Sequence, residues 1–149
     1  MSPESISPES MSLETLLALF RTAALFWLVL LGLAVANGAF RELVLARLLG
    51  PEALPISGIT GIVLMAVAIA LFVRRVRPGF GAAFAIGAMW LVLTLSAEAV
   101  LVVASGKPLR VVVDTFSAAA VAEGDLFAPL AVFVALSPPL FALLRRPLH

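Results

Sequence analysis

Any chemistry in this chain turns on Glu98. It stands inside Met89–Ala104, a run of sixteen residues with no other charge. A carboxylate in so apolar a run is expensive to bury and is expected to have a partner or a task. Arg41, which closes the first long apolar run, is the partner its depth selects. A guanidinium–carboxylate pair in low dielectric is favoured over either charge alone. At 100° per residue, Thr94, Glu98 and Ser105 share one face of a helix, and Asn37 lies one turn before Arg41. The expected site is an intramembrane polar cluster of Asn37, Arg41, Thr94 and Glu98. Glu42, Ser105 and Asp114 contribute from the outer face.

Other chemistries find little footing. The chain has no cysteine, and its only histidine is the terminal His149, which reads as a solvated end residue. No nucleophile–base pair, metal-ligand cluster, phosphate loop or haem-binding pair is evident, so no cofactor or metal is expected. A net charge of +1 offers no basic patch for nucleic acid.

The elements that must position these residues are set by composition. Of 149 residues, 62% are hydrophobic and 13% charged, with mean hydropathy +1.15. Soluble domains average roughly 45–50% apolar and about 25% charged, so a bilayer is the expected solvent. We expect an all-α membrane protein, a four-transmembrane-helix bundle with short interfacial segments in the outer loops. Spans are expected at about 13–40, 56–73, 80–104 and 126–144, in one domain over 13–146. Polar tails are expected at 1–12, where Ser-Pro-Glu-Ser repeats without signal-peptide features, and at 147–149.

Punctuation supports these bounds. Gly50-Pro51 ends the first helical segment and Pro55 suits a helix start. Pro78-Gly79 separates the second and third spans, and Asp125 is placed to cap the fourth. Pro138-Pro139 is expected to kink that last helix or end it early. Gly79, Ala83 and Gly87 form a small-xxx-small ladder for helix packing, and Gly32/Ala36 and Ser57/Gly61 repeat the spacing. Gly38 is expected to permit close approach beside Asn37. Trp27 and Trp90 pack in the core or sit at an interface. Leu109–Val113 reads as a short interfacial helix in the long 105–124 connection, which could cover part of the outer mouth.

Orientation follows from the arginines. Arg74, Arg75 and Arg77 lie in one turn, and Arg145 and Arg146 follow the last span. The positive-inside rule puts both groups, and both termini, in the cytoplasm. A third helix entering near Pro78 then carries Glu98 about 30 Å across the core, to the level of Arg41.

Asn37-Gly38-Ala39-Phe40-Arg41-Glu42 resembles the N-G-x-x-R-E motif of a group of small four-span bacterial inner-membrane proteins. That group also carries a Thr and a Glu in the third span and an Asp before the last, where Thr94, Glu98 and Asp114 stand here. This chain departs from it at Ala97, Thr115, Asp125 and Phe127, where an aromatic, Tyr, Arg and Trp are common. The resemblance implies the architecture and a multi-pass place in the bacterial inner membrane, and carries no activity with it.

The leading functional expectation is a non-enzymatic accessory or assembly partner, meeting the lipid bilayer and a membrane protein partner or a second copy of itself. One alternative is a small transporter or channel component using Glu98 as proton or substrate site. Another is a membrane-embedded lipid-modifying enzyme using Glu98, Asp114 and Arg41.

Overall fold

A computed structural model describes residues 12–145. The expectations for the N-terminal repeat, Arg146, His149 and the C-terminal tail lie outside the described residues. Among the described residues the chain is helical, with no strand.

Helix α1, Leu13–Phe40, starts where the Ser12 hydroxyl accepts the Thr15 N–H at 3.3 Å. Glu14 adds a negative charge to its first turn, where the helix dipole favours one. The helix does not stop at Arg41. It passes through a wider π turn at Arg41–Leu45 and a last turn, α2, Ala46–Leu49. Gly50 then takes φ 57, a left-handed conformation open to glycine, and a 3₁₀ turn, Gly50–Glu52, reverses the chain. Helix α3, Ala53–Val76, is longer at both ends than the expected 56–73. Pro55 falls inside its first turn, where its missing N–H has no intrahelical partner to lose. Arg74 and Arg75 extend its C-terminus, where positive charge suits the dipole, and Arg77 closes it at φ 52.

Helix α4 runs Phe80–Ala104, the expected bounds. The 105–124 connection holds two short helices, α5 at Arg110–Asp114 and α6 at Ala118–Ala122. Helix α5 falls within a residue of the expected segment, while α6, capped by Ser117, was not anticipated. Helix α7 spans Phe127–Leu144, and Asp125 Oδ1 accepts the Phe127 N–H at 3.0 Å.

Pro138 and Pro139 do not end α7. The proline at 139 frees the carbonyl of Ala135, one turn back. That carbonyl lies against Gly87 of α4, so closely that a Cβ at 87 would run into it. The helices approach there because position 87 has no side chain, and a Cα–H···O contact answers the freed carbonyl. Of the expected ladder, Ala83 and Gly87 are buried in this contact. Gly79 is not part of it: it is the exposed N-cap of α4, with nothing near its Cβ direction.

Three helical stretches are long and apolar enough to cross a membrane: Leu13–Val76, Phe80–Ala104 and Phe127–Leu144. The first contains both α1 and α3, which fold back on each other. The chain is inside-out relative to a soluble protein, with large apolar side chains such as Leu28, Val63, Phe84, Val92 and Val100 all more than half exposed. At the end where α3 finishes and α4 begins, Arg145 donates to the carbonyls of Val73 and Pro78, both at 3.3 Å. Toward that end sits an aromatic core of Phe26, Phe72 and Trp90, with centroids 4.8–6.0 Å apart. Trp90 is fully buried, and its indole N–H donates to the Ala23 carbonyl at 2.9 Å.

Candidate functional site

At the opposite end the helices enclose a cavity of about 640 Å³. Its origin is a mismatch of side-chain sizes. Large side chains bridge α1 and α4 on its inner side: Trp27 donates to Thr94, Trp90 to the Ala23 carbonyl, and the Phe26 ring lies 6.0 Å from that of Trp90. Beyond Trp27 the lining includes Ala34 and Gly38 on α1 and Ala97 on α4, whose small side chains leave space unfilled. The other three helix pairs are closed. α1 meets α3 through Asn37, α3 meets the start of α7 where Leu126 lies over Gly58, and α4 and α7, in contact at Gly87 nearer the other end, keep their lining residues Val102 and Ala131 buried. The connection after α4 folds back over the end of the bundle, and Lys107, Val111 and Thr115 line the cavity from there.

The lining is divided. Leu30, Met65, Leu130 and Val134 make an apolar floor, with Trp27 beside them. Asn37, Arg41, Glu98, Ser105, Lys107, Thr115 and Asp125 bring polar groups toward the mouth. The volume lies within the roughly 300–1,000 Å³ typical of small-molecule sites, which are likewise mostly apolar with a few placed polar groups.

The expected cluster shares this cavity but is wired differently. Arg41 does not pair with Glu98. Its Nη2 lies 2.9 Å from Oε1 of the adjacent Glu42, and its Nε donates to the same oxygen at 3.0 Å. Depth placed Arg41 and Glu98 at one level, but it carries no information about direction around each helix axis. The π turn adds a residue to the helical register at Arg41, and the neighbouring carboxylate needs no second helix to reach it.

Asn37 does not join Arg41 either. It donates across to the Ser57 carbonyl of α3 at 2.8 Å, and its amide nitrogen lies 3.2 Å from where a Cβ on Gly61 would sit. The Ser57/Gly61 pair is thus the groove that receives Asn37. Gly38, expected to bring a helix close, instead lines the cavity, with nothing within 4 Å of its Cβ direction. Thr94 accepts the indole N–H of Trp27 at 3.1 Å, a polar tie between α4 and α1 at the inner end of the cavity. The Ser105 hydroxyl donates to the Leu101 carbonyl of its own helix at 2.8 Å.

Glu42 and Asp114 are exposed and do not line the cavity. Lys107, Thr115 and Asp125 do line it, and sequence reasoning left them out of the cluster. The signal for them was weak: the long connection was expected to cover the mouth, but nothing in its spacing says which residues face inward.

Charges in the lining are balanced in sign and unequal in satisfaction. Arg41 has Glu42, and Asp125 has the Phe127 N–H. Among the described residues Glu98, half-buried, makes no hydrogen bond or ion pair, and neither does the Lys107 ammonium. No three His, Cys, Asp or Glu side chains converge as a metal site among the described residues. The arrangement can hold a molecule with an apolar body and a polar, charged head. No protein-family model, curated protein or solved structure matches this chain.

Proposed function

We propose that this is a four-span protein of the bacterial inner membrane that binds a small amphipathic molecule in the cavity between α1 and α4. The observation that carries the reading is the cavity itself, with its apolar floor, its charged mouth and an unpartnered carboxylate inside. The exposed apolar surface of the long helices supports the membrane setting. Arg74, Arg75, Arg77 and Arg145 gather at one end of the bundle, which supports a cytoplasmic position for that end and an outward one for the cavity. The N-G-x-x-R-E resemblance is part of the same proposal. Binding rather than catalysis is favoured because the cavity hydroxyls of Ser57 and Ser105 donate to helix carbonyls and Thr94 receives Trp27. An acid–base enzyme using Glu98, Asp114 and Arg41 is disfavoured, since Asp114 lies outside the cavity.

The test is native mass spectrometry of protein purified in mild detergent. Stoichiometric retention of an amphiphile is expected, and its loss in Gly38→Phe, whose ring enters open space. Retention that Gly38→Phe does not change would sink the reading.

A second reading keeps the protein as an accessory partner. Gly32 and Ala36 form an exposed small-residue stripe on α1, and a Cβ at Gly32 meets nothing within 4 Å. Such stripes suit a close-packed partner helix. Cross-linking from Ala36→Cys in native membranes tests it; products limited to lipid would count against it.

A further inference from the structure

The cavity has a side as well as a mouth. At the cavity end α1–α3 and α3–α7 are closed at Asn37–Ser57 and Gly58–Leu126, and α4 and α7, which touch at Gly87 nearer the other end, keep their lining residues Val102 and Ala131 buried. The fourth pair, α1 with α4, is joined by Trp27–Thr94 and Trp90–Ala23, and beyond Trp27–Thr94 no hydrogen bond links the two among the described residues. Past those ties Val35 of α1 and Leu101 of α4 both line the cavity, yet are 58% and 54% exposed. A side chain that lines a cavity and also faces outward marks a rim. Meanwhile Val111 and Thr115 lie across the end of the bundle. A second way in therefore runs sideways, between α1 and α4, where the exposed surface is apolar.

Two lining charges already have protein partners: Arg41 has Glu42 and Asp125 has the Phe127 N–H. The two without partners among the described residues are opposite in sign. Glu98 lies inside and half-buried, while Lys107 is exposed beyond the end of α4, where the chain turns back and its N–H meets the Val102 carbonyl. A ligand that meets both brings a cation to Glu98 and an anion to Lys107. A purely anionic head would leave the Glu98 carboxylate unpaired beside it, which low dielectric makes costly.

Resting on the amphiphile site proposed above, we infer that the occupant is a phospholipid whose head carries both an ammonium and a phosphate, entering sideways between α1 and α4. The ammonium donates to Glu98. Lys107 donates to the phosphate, and the acyl chains lie along the apolar floor and out through the portal. A soluble phosphoamine shares the head chemistry but has nothing to place against Leu30, Met65 and Val134.

The experiment is competitive native mass spectrometry on the full chain in mild detergent. Phosphatidylethanolamine and phosphatidylglycerol with identical acyl chains are supplied together at equal concentration. Wild type is expected to retain the ethanolamine lipid about tenfold over the glycerol lipid, the discrimination of one charge-assisted hydrogen bond. In Glu98→Gln the ratio should fall to near one while total lipid retention persists. In Lys107→Gln, a change at an exposed side chain that leaves the fold intact, retention of both lipids should weaken without a change in ratio. Equal retention by wild type, or a preference that survives Glu98→Gln, overturns the head-group assignment. Displacement of the lipid by free phosphoethanolamine at matched concentration overturns the lipid source in favour of a soluble ligand. Gly38→Phe separates the two levels. If it leaves retention untouched, the cavity reading itself falls. If it abolishes retention while Glu98→Gln leaves the ratio unchanged, only the head-group class falls. Should Glu98→Gln fail to fold, the wild-type ratio and the Lys107→Gln response still decide: no ratio, or a Lys107 effect confined to one lipid, overturns the proposal.

Discussion

The two ends of this bundle use small residues for opposite purposes. Toward the Arg145 end, Gly87 removes a side chain so that the Ala135 carbonyl can press against α4, and bulky Trp90, Phe72 and Phe26 fill what remains. Toward the Arg41 end, Gly38, Ala34 and Ala97 also remove side chains, but no helix moves in to take the space. The difference lies in what stands next to them. Beside Gly87 nothing large separates α4 from α7. On α1, Trp27 reaches across to Thr94 of α4 about three turns before Gly38, and beyond that bridge smallness becomes emptiness. One end is built as a core, the other as a container.

That contrast fails first where it is strongest. Trp90→Ala should destabilise the fold by about 3–5 kcal/mol, because it empties a fully buried site and leaves its neighbours with a cavity. Reversible unfolding in mixed detergent measures it; a loss below about 1 kcal/mol would mean that this end is no better packed than the other. Gly87→Ala should destabilise by about 1–3 kcal/mol through overpacking, since the new methyl meets backbone that cannot swing aside. The matched change Gly38→Ala, on the container side, should stay within about 0.5 kcal/mol of wild type. If Gly38→Ala is as harmful as Gly87→Ala, the empty space beside α1 is filled in the native protein and the comparison is wrong.

The parts of this fold legible in the sequence are those that depend on local chemistry. Helix α4 could be bounded because Pro78-Gly79 precedes it and polar residues from Ser105 onward follow it. The 64-residue Leu13–Val76 stretch could be cut at Gly50-Pro51 because only a glycine there takes the left-handed turn. What was not legible depends on relations between distant helices. The Trp27–Thr94 bond joins residues 67 apart in sequence, and periodicity on each helix says nothing of which partner it meets. Pro138-Pro139 does not end α7 early, because a proline's cost is set by where the freed carbonyl points, and the Ala135 carbonyl lies against Gly87 of another helix. Glu98 was recognisable as the residue that needs explaining, but the cavity that surrounds it exists only once four helices are packed.

Smaller effects sharpen the same contrast. Arg145→Ala and Asn37→Ala each remove cross-helix ties, one at each end. Each should cost about 1 kcal/mol, the range for interhelical hydrogen bonds in membranes. Arg145 bridges the end of α3 and the Pro78 turn, so its loss should speed hydrogen exchange at Arg74–Arg77 and leave the cavity end unchanged. Asn37 should do the reverse, loosening Leu54–Gly61. Exchange that spreads across both ends in either variant would show a single cooperative block in place of two regions.

The smallest effect expected is also the most discriminating. A double-mutant cycle on Arg41 and Glu98 should give a coupling within about 0.5 kcal/mol of zero, as for residues that share no direct contact. The reason is geometric: the Arg41 guanidinium is already held by Glu42, 2.9 Å away, and that exposed pair is itself worth only about 0–1 kcal/mol. The cycle should be run once in lipid-free detergent and once with ethanolamine phospholipid added. Coupling near zero in both says that Arg41 keeps Glu42 whatever fills the cavity. Coupling above about 1 kcal/mol only without lipid would mean that Arg41 swings inward to neutralise Glu98 when the cavity is empty. The container would then have a closed form of its own, with the Arg41–Glu42 pair as the mark of the open one.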